Sequence, residues 1–211
     1  IIGLSVHIGS QIESLSPFKS AFKKIKDQII FLNKEGFKIS LIDLGGGIGI
    51  RYNEKNKLID IKMYAKLVED LFAELGVEII IEPGRSLVGS SGIILSRVIR
   101  VKKGKNKNFL IIDAGMNNLI RPALYGAFHN IIPVELSKGK KIESYDIVGP
   151  ICETGDVFGK NVKTQEFKKD DLVAICSAGA YSSCMASKYN LRGEVNEIFI
   201  KKKKINISNK K

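Results

Sequence analysis

Apolar residues recur at Phe18, Phe22, Ile25, Ile29 and Leu32, the three-to-four spacing of one face of an α-helix. The pattern predicts a helix over 17–35, entered at Ser16 with Pro17 as its first helical residue and closed by Gly36. Ahead of it, residues 1–9 begin Ile1-Ile2-Gly3-Leu4-Ser5-Val6, which reads as a buried strand already under way, with further chain expected before Ile1. A second strand is expected over 39–44, a second helix over about 60–75 closing at Gly76, and a third strand over 77–81. Strand–helix units in succession build a parallel sheet, and such sheets carry their sites at the C-terminal ends of the strands.

From about residue 92 the pattern changes. Short β-rich runs over 92–101, 109–113, 142–148, 172–177 and 197–201 are separated by Gly- and Lys-rich turns, which predicts a mostly antiparallel β-domain. The expected architecture is the end of an α/β barrel over 1–91 followed by a β-domain over 92–211, with no internal repeat. Three parallel strands by themselves leave edges and an unfilled interior exposed.

Composition narrows the classes. A chain of 211 residues with 44% hydrophobic positions can bury a core. No run approaches the roughly 18 uncharged apolar residues of a membrane helix, and no signal peptide is expected. Three cysteines, Cys152, Cys176 and Cys184, form no CxxC pair, which points to a reducing, cytoplasmic setting without structural zinc. Cys176 and Cys184 are expected to be small apolar fillers.

The net charge of +12 raises a nucleic-acid reading. Six lysines, however, fall in the last eleven residues (Lys201 to Lys204, Lys210 and Lys211), and others in the polar runs Lys102 to Lys107 and Lys138 to Lys141. These are solvated turns and a basic tail, and no aromatics interleave with them as a base-stacking platform requires.

Chemistry-bearing residues follow each of the first three strands. The first strand runs into His7-Ile8-Gly9-Ser10-Gln11; a lone His is commonly structural, but its place at a strand end matches the next two motifs. Gly45-Gly46-Gly47-Ile48-Gly49 follows the second strand. It is either a tight turn or a loop whose backbone N–H groups meet a phosphate, but Ile50 stands where a dinucleotide fingerprint needs its third glycine. Glu82-Pro83-Gly84-Arg85 follows the third. A carboxylate ending an apolar strand is expected to need a cationic partner, and a pyridinium nitrogen is one. The Arg85 fork suits a phosphate or a substrate carboxylate.

In this order and spacing the three motifs resemble the fold-type III pyridoxal-phosphate decarboxylases, whose barrel is of the alanine-racemase type. The β-domain is similar to that of the diaminopimelate decarboxylase family. The likeness lies in the segment from Asp113-Ala114-Gly115-Met116-Asn117 through Arg121-Pro122-Ala123-Leu124-Tyr125, in Gly149-Pro150-Ile151-Cys152-Glu153-Thr154-Gly155-Asp156, and in Gly179-Ala180-Tyr181 through Tyr189-Asn190. It covers almost the whole chain. Departures are Asn118 where the family has Asp, Thr154 where it has Ser, and Gly193-Glu194-Val195 where it has a Pro-rich stretch.

The resemblance implies pyridoxal-phosphate-dependent decarboxylation of meso-2,6-diaminopimelate to L-lysine, with 1–91 as the last three βα units of the cofactor-binding barrel. It implies cofactor contacts for His7, Ser10, Gly45, Gly46, Gly47, Glu82, Pro83, Gly84, Arg85 and Tyr181. Glu82 would pair with the ring nitrogen, and the glycines and the Gly84-Arg85 turn would hold the phosphate. Arg85, Arg121, Tyr125, Glu153 and Tyr181 would hold substrate, with Glu153 at the distal ammonium, and Cys152 would donate the proton after CO2 leaves. A homodimer with shared active sites is implied, with no metal, nucleic acid or membrane. The family's cofactor-bearing lysine lies on an early barrel strand, and no lysine of this chain sits in a matching motif. The alternatives are a non-catalytic remnant of this enzyme, a related basic amino-acid decarboxylase or, from another class, a basic nucleic-acid-binding protein. His129 is expected to be structural.

Overall fold

The computed structural model describes residues 1–136, 139–202 and 204–208. Lys138, Lys203, Lys210 and Lys211 of the expected basic turns and tail lie outside the described residues. The chain divides into two compact units, Ile1–Ser90 and Ser91–Lys211.

In the first unit, strands β1 (Gly3–Ser5), β2 (Leu41–Asp43) and β3 (Glu78–Ile80) form one parallel sheet in sequence order. Gly3 pairs with Leu41, and Leu41 with Glu78. Helices α1 (Leu15–Lys34) and α2 (Ile61–Phe72) connect them, and a short helix α3 (Arg85–Val88) follows β3. The helices pack through the stripes visible in the sequence: Phe18, Phe22 and Ile29 of α1 and Tyr64, Val68 and Phe72 of α2 are all buried. Phe18 meets Tyr64 edge-on at a centroid separation of 5.2 Å, and Phe22 meets Phe72 at 6.1 Å. Loss of one such ring costs about 3–5 kcal/mol. The Asp60 side chain caps α2 by accepting the Lys62 N–H at 2.8 Å.

Helix α1 begins earlier than the sequence suggests, at Leu15 with Ser14 as its N-cap. Pro17 is accommodated because the first four N–H groups of a helix have no intrahelical acceptor. Along and beyond β3, Ile79, Ile80 and Ile81 are exposed.

The second unit is built on a six-stranded mixed sheet in the order β6 (Ile131–Pro133), β9 (Leu172–Ile175), β4 (Ile94–Lys103), β5 (Asn108–Ile112), β7 (Ile142–Val148), β8 (Val157–Gln165). Neighbours are antiparallel except β5 and β7. The two outer strands approach each other: a Cβ at Gly159 of β8 would lie 3.9 Å from the Ile131 side chain of β6. The Gln165 side chain also donates to the Glu135 carbonyl at 2.8 Å. The sheet therefore nearly closes into a barrel around Val98, Leu110, Ile112, Leu119, Tyr145 and Ile147. A short helix α4 (Arg121–Tyr125) lies between β5 and β6, and β10 (Glu197–Lys201) pairs with β11 (Lys204–Ser208) in a separate hairpin.

The lysine runs are partly paired. Lys103 meets Glu143 at 2.8 Å, Lys107 meets Asp146 at 3.1 Å and Lys140 meets Asp171 at 3.5 Å. Charge bound in this way is unlike a continuous phosphate-binding stripe. Among the described residues no helix is long and apolar enough to cross a membrane.

Candidate active site

Backbone hydrogen bonds carry the parallel ladder past the strands to the motif residues. Val6 donates to the Asp43 carbonyl at 2.9 Å, Leu44 to Ile80 at 2.9 Å, and Glu82 to Gly45 at 2.8 Å. His7, Gly45–Gly47 and Glu82 therefore emerge side by side at one edge of the sheet. His7 Nδ1 lies 3.4 Å from the Gly46 N–H, a long contact.

The triple glycine has a steric cause. A Cβ on Gly46 would stand 2.3 Å from the Glu82 carbonyl oxygen, and one on Gly45 would stand 2.5 Å from that of Val6. Gly45 also holds a left-handed φ of +64°, which favours glycine. The strand ends can approach this closely only without side chains between them. The Gly9–Ile12 loop is fastened to the same turn: Ile12 N–H donates to Gly47, and the Gln11 amide both donates to and accepts from the Ile50 backbone.

Arg85, the first residue of α3, reaches back across this rim. Its guanidinium donates to Ser10 Oγ at 2.9 Å and to the Tyr52 hydroxyl at 2.8 Å, and it lies 5.6 Å from the Tyr52 ring centre. Pro83 and Gly84 form the turn that starts α3. Glu82, which follows β3 at the same edge, is exposed.

In the second unit, the segment after β5 is held by Asp113, whose carboxylate accepts the Ser96 hydroxyl at 2.6 Å and the Arg97 N–H at 2.8 Å. Asn118, which stands where the family has Asp, closes the next turn by accepting the Gly115 N–H at 2.9 Å. That turn delivers Arg121 to the start of α4, where it is only 6% exposed. Tyr125, at the other end of α4, is exposed.

Cys152 and Glu153 sit exposed on the loop between β7 and β8. Buried Asp156 anchors that loop by accepting the N–H groups of Met116 at 2.6 Å and Ile151 at 2.7 Å. Burial pushes the Asp156 carboxyl up from its ordinary range, against these backbone donors, which hold it down. Gly149 is small because a Cβ there would stand 2.3 Å from an Asp156 carboxylate oxygen. Glu153 accepts the Tyr189 hydroxyl at 2.7 Å, and this bond raises the Tyr189 phenol. Tyr181 is exposed with a left-handed φ of +60°. Cys176 is partly buried and its thiol is pushed up by burial. Cys184 is exposed, so it is not the apolar filler expected of it.

Sequence reasoning assigned no role to Tyr52, Asp156 or Tyr189. Asp156 and Tyr189 lay within quoted motifs, which was a usable signal; Tyr52 stands between charged and polar neighbours and carried none.

A parallel α/β unit carries an imidazole, a glycine turn and an acid at its strand ends, and a nearly closed sheet follows it in the chain, the pairing of units that the sequence motifs resemble. The family described as pyridoxal-dependent decarboxylase, C-terminal sheet domain, matches residues 20–179, and the chain belongs to it. It is 41% identical over 211 residues to a diaminopimelate decarboxylase of Aquifex aeolicus, covering 100% of this chain and 50% of that one. It is 46% identical over 200 residues to one of Neisseria meningitidis serogroup B, covering 95% and 48%. The crystal structure of Helicobacter pylori diaminopimelate decarboxylase complexed with L-lysine superposes with a TM-score of 0.91 at 39% identity, over 98% of this chain and 50% of that one. The chain spans about half the length of the curated relatives it matches.

Proposed function

We infer that the chain supplies the cofactor rim and the substrate-selecting β-domain of a pyridoxal-phosphate-dependent decarboxylase that converts meso-2,6-diaminopimelate to L-lysine and CO2. The observation that carries this reading is the meeting of His7, Gly46 and Glu82 at one strand edge, with Arg85 and Ser10 joined beside them. Residues 1–91 are then the last three βα units of a TIM barrel. The exposed Ile79, Ile80 and Ile81 are surface that the remaining barrel covers. Residues 92–211 carry the substrate-binding and dimer-interface segments.

The residues present suit the cofactor. The rim offers a flat imidazole for its ring, a carboxylate for its nitrogen, and backbone and side-chain donors for its phosphate. When bound, pyridoxal phosphate supplies an electron sink for the charge left as CO2 departs. Glu82 favours the protonated ring nitrogen by Coulomb attraction. Gly45, Gly46, Gly47 and the Pro83-Gly84-Arg85 turn hold the phosphate, helped by Ser10 and Tyr181. Cys152 Sγ delivers the proton that replaces the carboxylate. Arg121, with Arg85, Tyr125 and Tyr181, receives the distal amino-acid end, and Glu153 its ammonium.

A buried guanidinium left without a carboxylate by a shorter diamine is costly, so Arg121 favours a substrate with two amino-acid ends over ornithine-like ones. The working unit is a cytoplasmic homodimer in which exposed Cys152 and Glu153 reach the neighbouring subunit's site. The test is turnover by the chain expressed in one polypeptide with the barrel half that its relatives carry. Release of CO2 and L-lysine from meso-diaminopimelate, with ornithine and arginine left untouched, is the expected result. A preference for ornithine or arginine overturns the substrate assignment.

A further inference from the structure

His129 has none of the roles above, yet it is paired in the second unit with Arg121. Arg121 Nη1 lies 2.8 Å from His129 Nε2, and His129 Nδ1 lies 2.9 Å from the Cys176 carbonyl oxygen. Both side chains are buried, at 6% and 2% exposure. A guanidinium has donors and no acceptor, so His129 Nε2 must be the bare, accepting nitrogen. The ring proton then sits on Nδ1 and is donated to Cys176. The ring is thus neutral and held in a single tautomer by a partner at each end.

The fold places this ring deliberately between two functional segments. Helix α4 ends at Gly126, whose left-handed φ of +61° turns the chain back, and β6 then enters beside β9 with Ile131 opposite Ile175. The Cys176 N–H donates to the Asn130 carbonyl at 2.8 Å, which fixes the Cys176 carbonyl under the preceding residue, His129. Cys176 leads directly into the 177–181 turn, where Ser177 and Tyr181 both hold positive φ. The chain of contacts therefore ties the guanidinium of Arg121 to the base of the Tyr181 turn.

We propose that His129 is a positioning residue that sets the aim of the Arg121 guanidinium and so determines specificity for the carboxylate of the substrate's distal end. A long, flexible side chain gives a directional bidentate contact only when its fork is held in advance. An imidazole anchored to the backbone does this without adding a competing charge. An Asp or Glu at the same place would neutralise the arginine and weaken its hold on an incoming carboxylate. The proposal rests on the decarboxylase reading and concerns the distal end of its substrate.

The test compares L-lysine with cadaverine, which is lysine without its carboxylate, as ligands of the complete cofactor-loaded enzyme by calorimetry. In wild type L-lysine binds more tightly. In His129→Leu that preference falls by about tenfold or more, the worth of one charge-assisted hydrogen bond, while cadaverine binding holds. His129→Gln, which keeps an acceptor near the Nε2 position, recovers part of the loss. An undiminished preference in His129→Leu overturns the proposal, and so does an equal loss for both ligands, which would be the mark of general structural damage. Absence of any lysine preference in wild type instead overturns the decarboxylase reading. Should His129→Leu fail to fold, nitrogen NMR of the histidines in the 211-residue chain decides, since it holds only two, His7 and His129. A buried Nδ1–H ring supports the proposal and an Nε2–H ring overturns it.

Discussion

Asp156 accepts the Met116 backbone N–H at 2.6 Å, and through this one bond the loop bearing Cys152 and Glu153 is fastened to the segment that delivers Arg121. The same carboxylate takes the Ile151 N–H at 2.7 Å. Two elements forty residues apart in sequence thus share one buried acceptor, and it couples the Cys152–Glu153 loop to the segment that leads to Arg121.

Asp156→Ala removes that acceptor and strands two backbone donors. Each costs about 1–3 kcal/mol when buried unpaired, so a loss of about 2–6 kcal/mol is expected in urea unfolding of the chain. In the complete enzyme kcat should fall with it as Cys152 loses its position. Retention of the wild-type urea midpoint would show that the carboxylate holds nothing in place.

Gly46→Ala introduces a methyl group 2.3 Å from the Glu82 carbonyl oxygen, backbone that cannot swing aside. The strand ends must separate, at a cost of about 1–3 kcal/mol, and the rim that His7 and Glu82 share opens. Lower thermal stability together with weaker cofactor retention in the complete enzyme is expected. A variant as stable as wild type would mean that the close approach is dispensable.

Much of this was legible in the sequence, for identifiable reasons. The stripes Phe18–Phe22–Ile29 and Tyr64–Val68–Phe72 are buried in the structure because helix period and burial coincide there. Strand β7 falls on the predicted 142–148, a run rich in β-branched and aromatic residues that is bounded by Gly139 and Gly149. Strand β8 escaped because Gly159, Lys160 and Asn161 interrupt its alternation. The ladder shifts register there, and Asn161, at a φ of +54°, donates its N–H to Asp146 at 2.8 Å. Strand β6 is only three residues long and ends in Pro133, too short to show a period. At the site, the strand-end motifs carried their own signal. The Arg121–His129 pairing is a tertiary contact between a helix start and the approach to a strand, and no local pattern encodes it.

Tyr145 gives a prediction for alkaline pH. Burial first, and the hydrogen bond to Glu143 next, push its phenol up from 10.0 to about 12. Between these values the unfolded chain has released the proton and the native chain still holds it, so the native state binds more protons and its stability falls as pH rises. Below pH 10 the contribution is fully present. Tyr145→Phe should flatten the decline in unfolding free energy between about pH 10 and 12, read as the difference from wild type. Identical slopes for the two proteins would remove Tyr145 as the source.

Arg121→Ala in the complete enzyme should lower kcat/KM for diaminopimelate by about 10- to 100-fold, the worth of one or two charge-assisted hydrogen bonds. The cofactor spectrum should persist, because the strand-end residues proposed to hold the cofactor belong to the other unit. Unchanged kinetics would take Arg121 out of the substrate clamp, and loss of the cofactor spectrum would assign it a structural role instead.

The last prediction concerns the 211-residue chain by itself. Covalent capture of pyridoxal phosphate needs a lysine whose amine is neutral and held against the aldehyde, which requires a desolvated pocket that lowers its pKa. Two of the ion-paired lysines show the opposite. Lys103 and Lys188 are held above the ordinary value by hydrogen bonds to Glu143 and Glu194, and both stand exposed. The rim at His7, Gly46 and Glu82 brings an imidazole, backbone and a carboxylate. Mixed with pyridoxal phosphate and treated with borohydride, the chain should therefore retain scattered, substoichiometric label across surface lysines. Peptide mapping checks this: stoichiometric label on a single lysine would place a cofactor-bearing amine in this half and overturn the assignment of that group to the other half of the barrel.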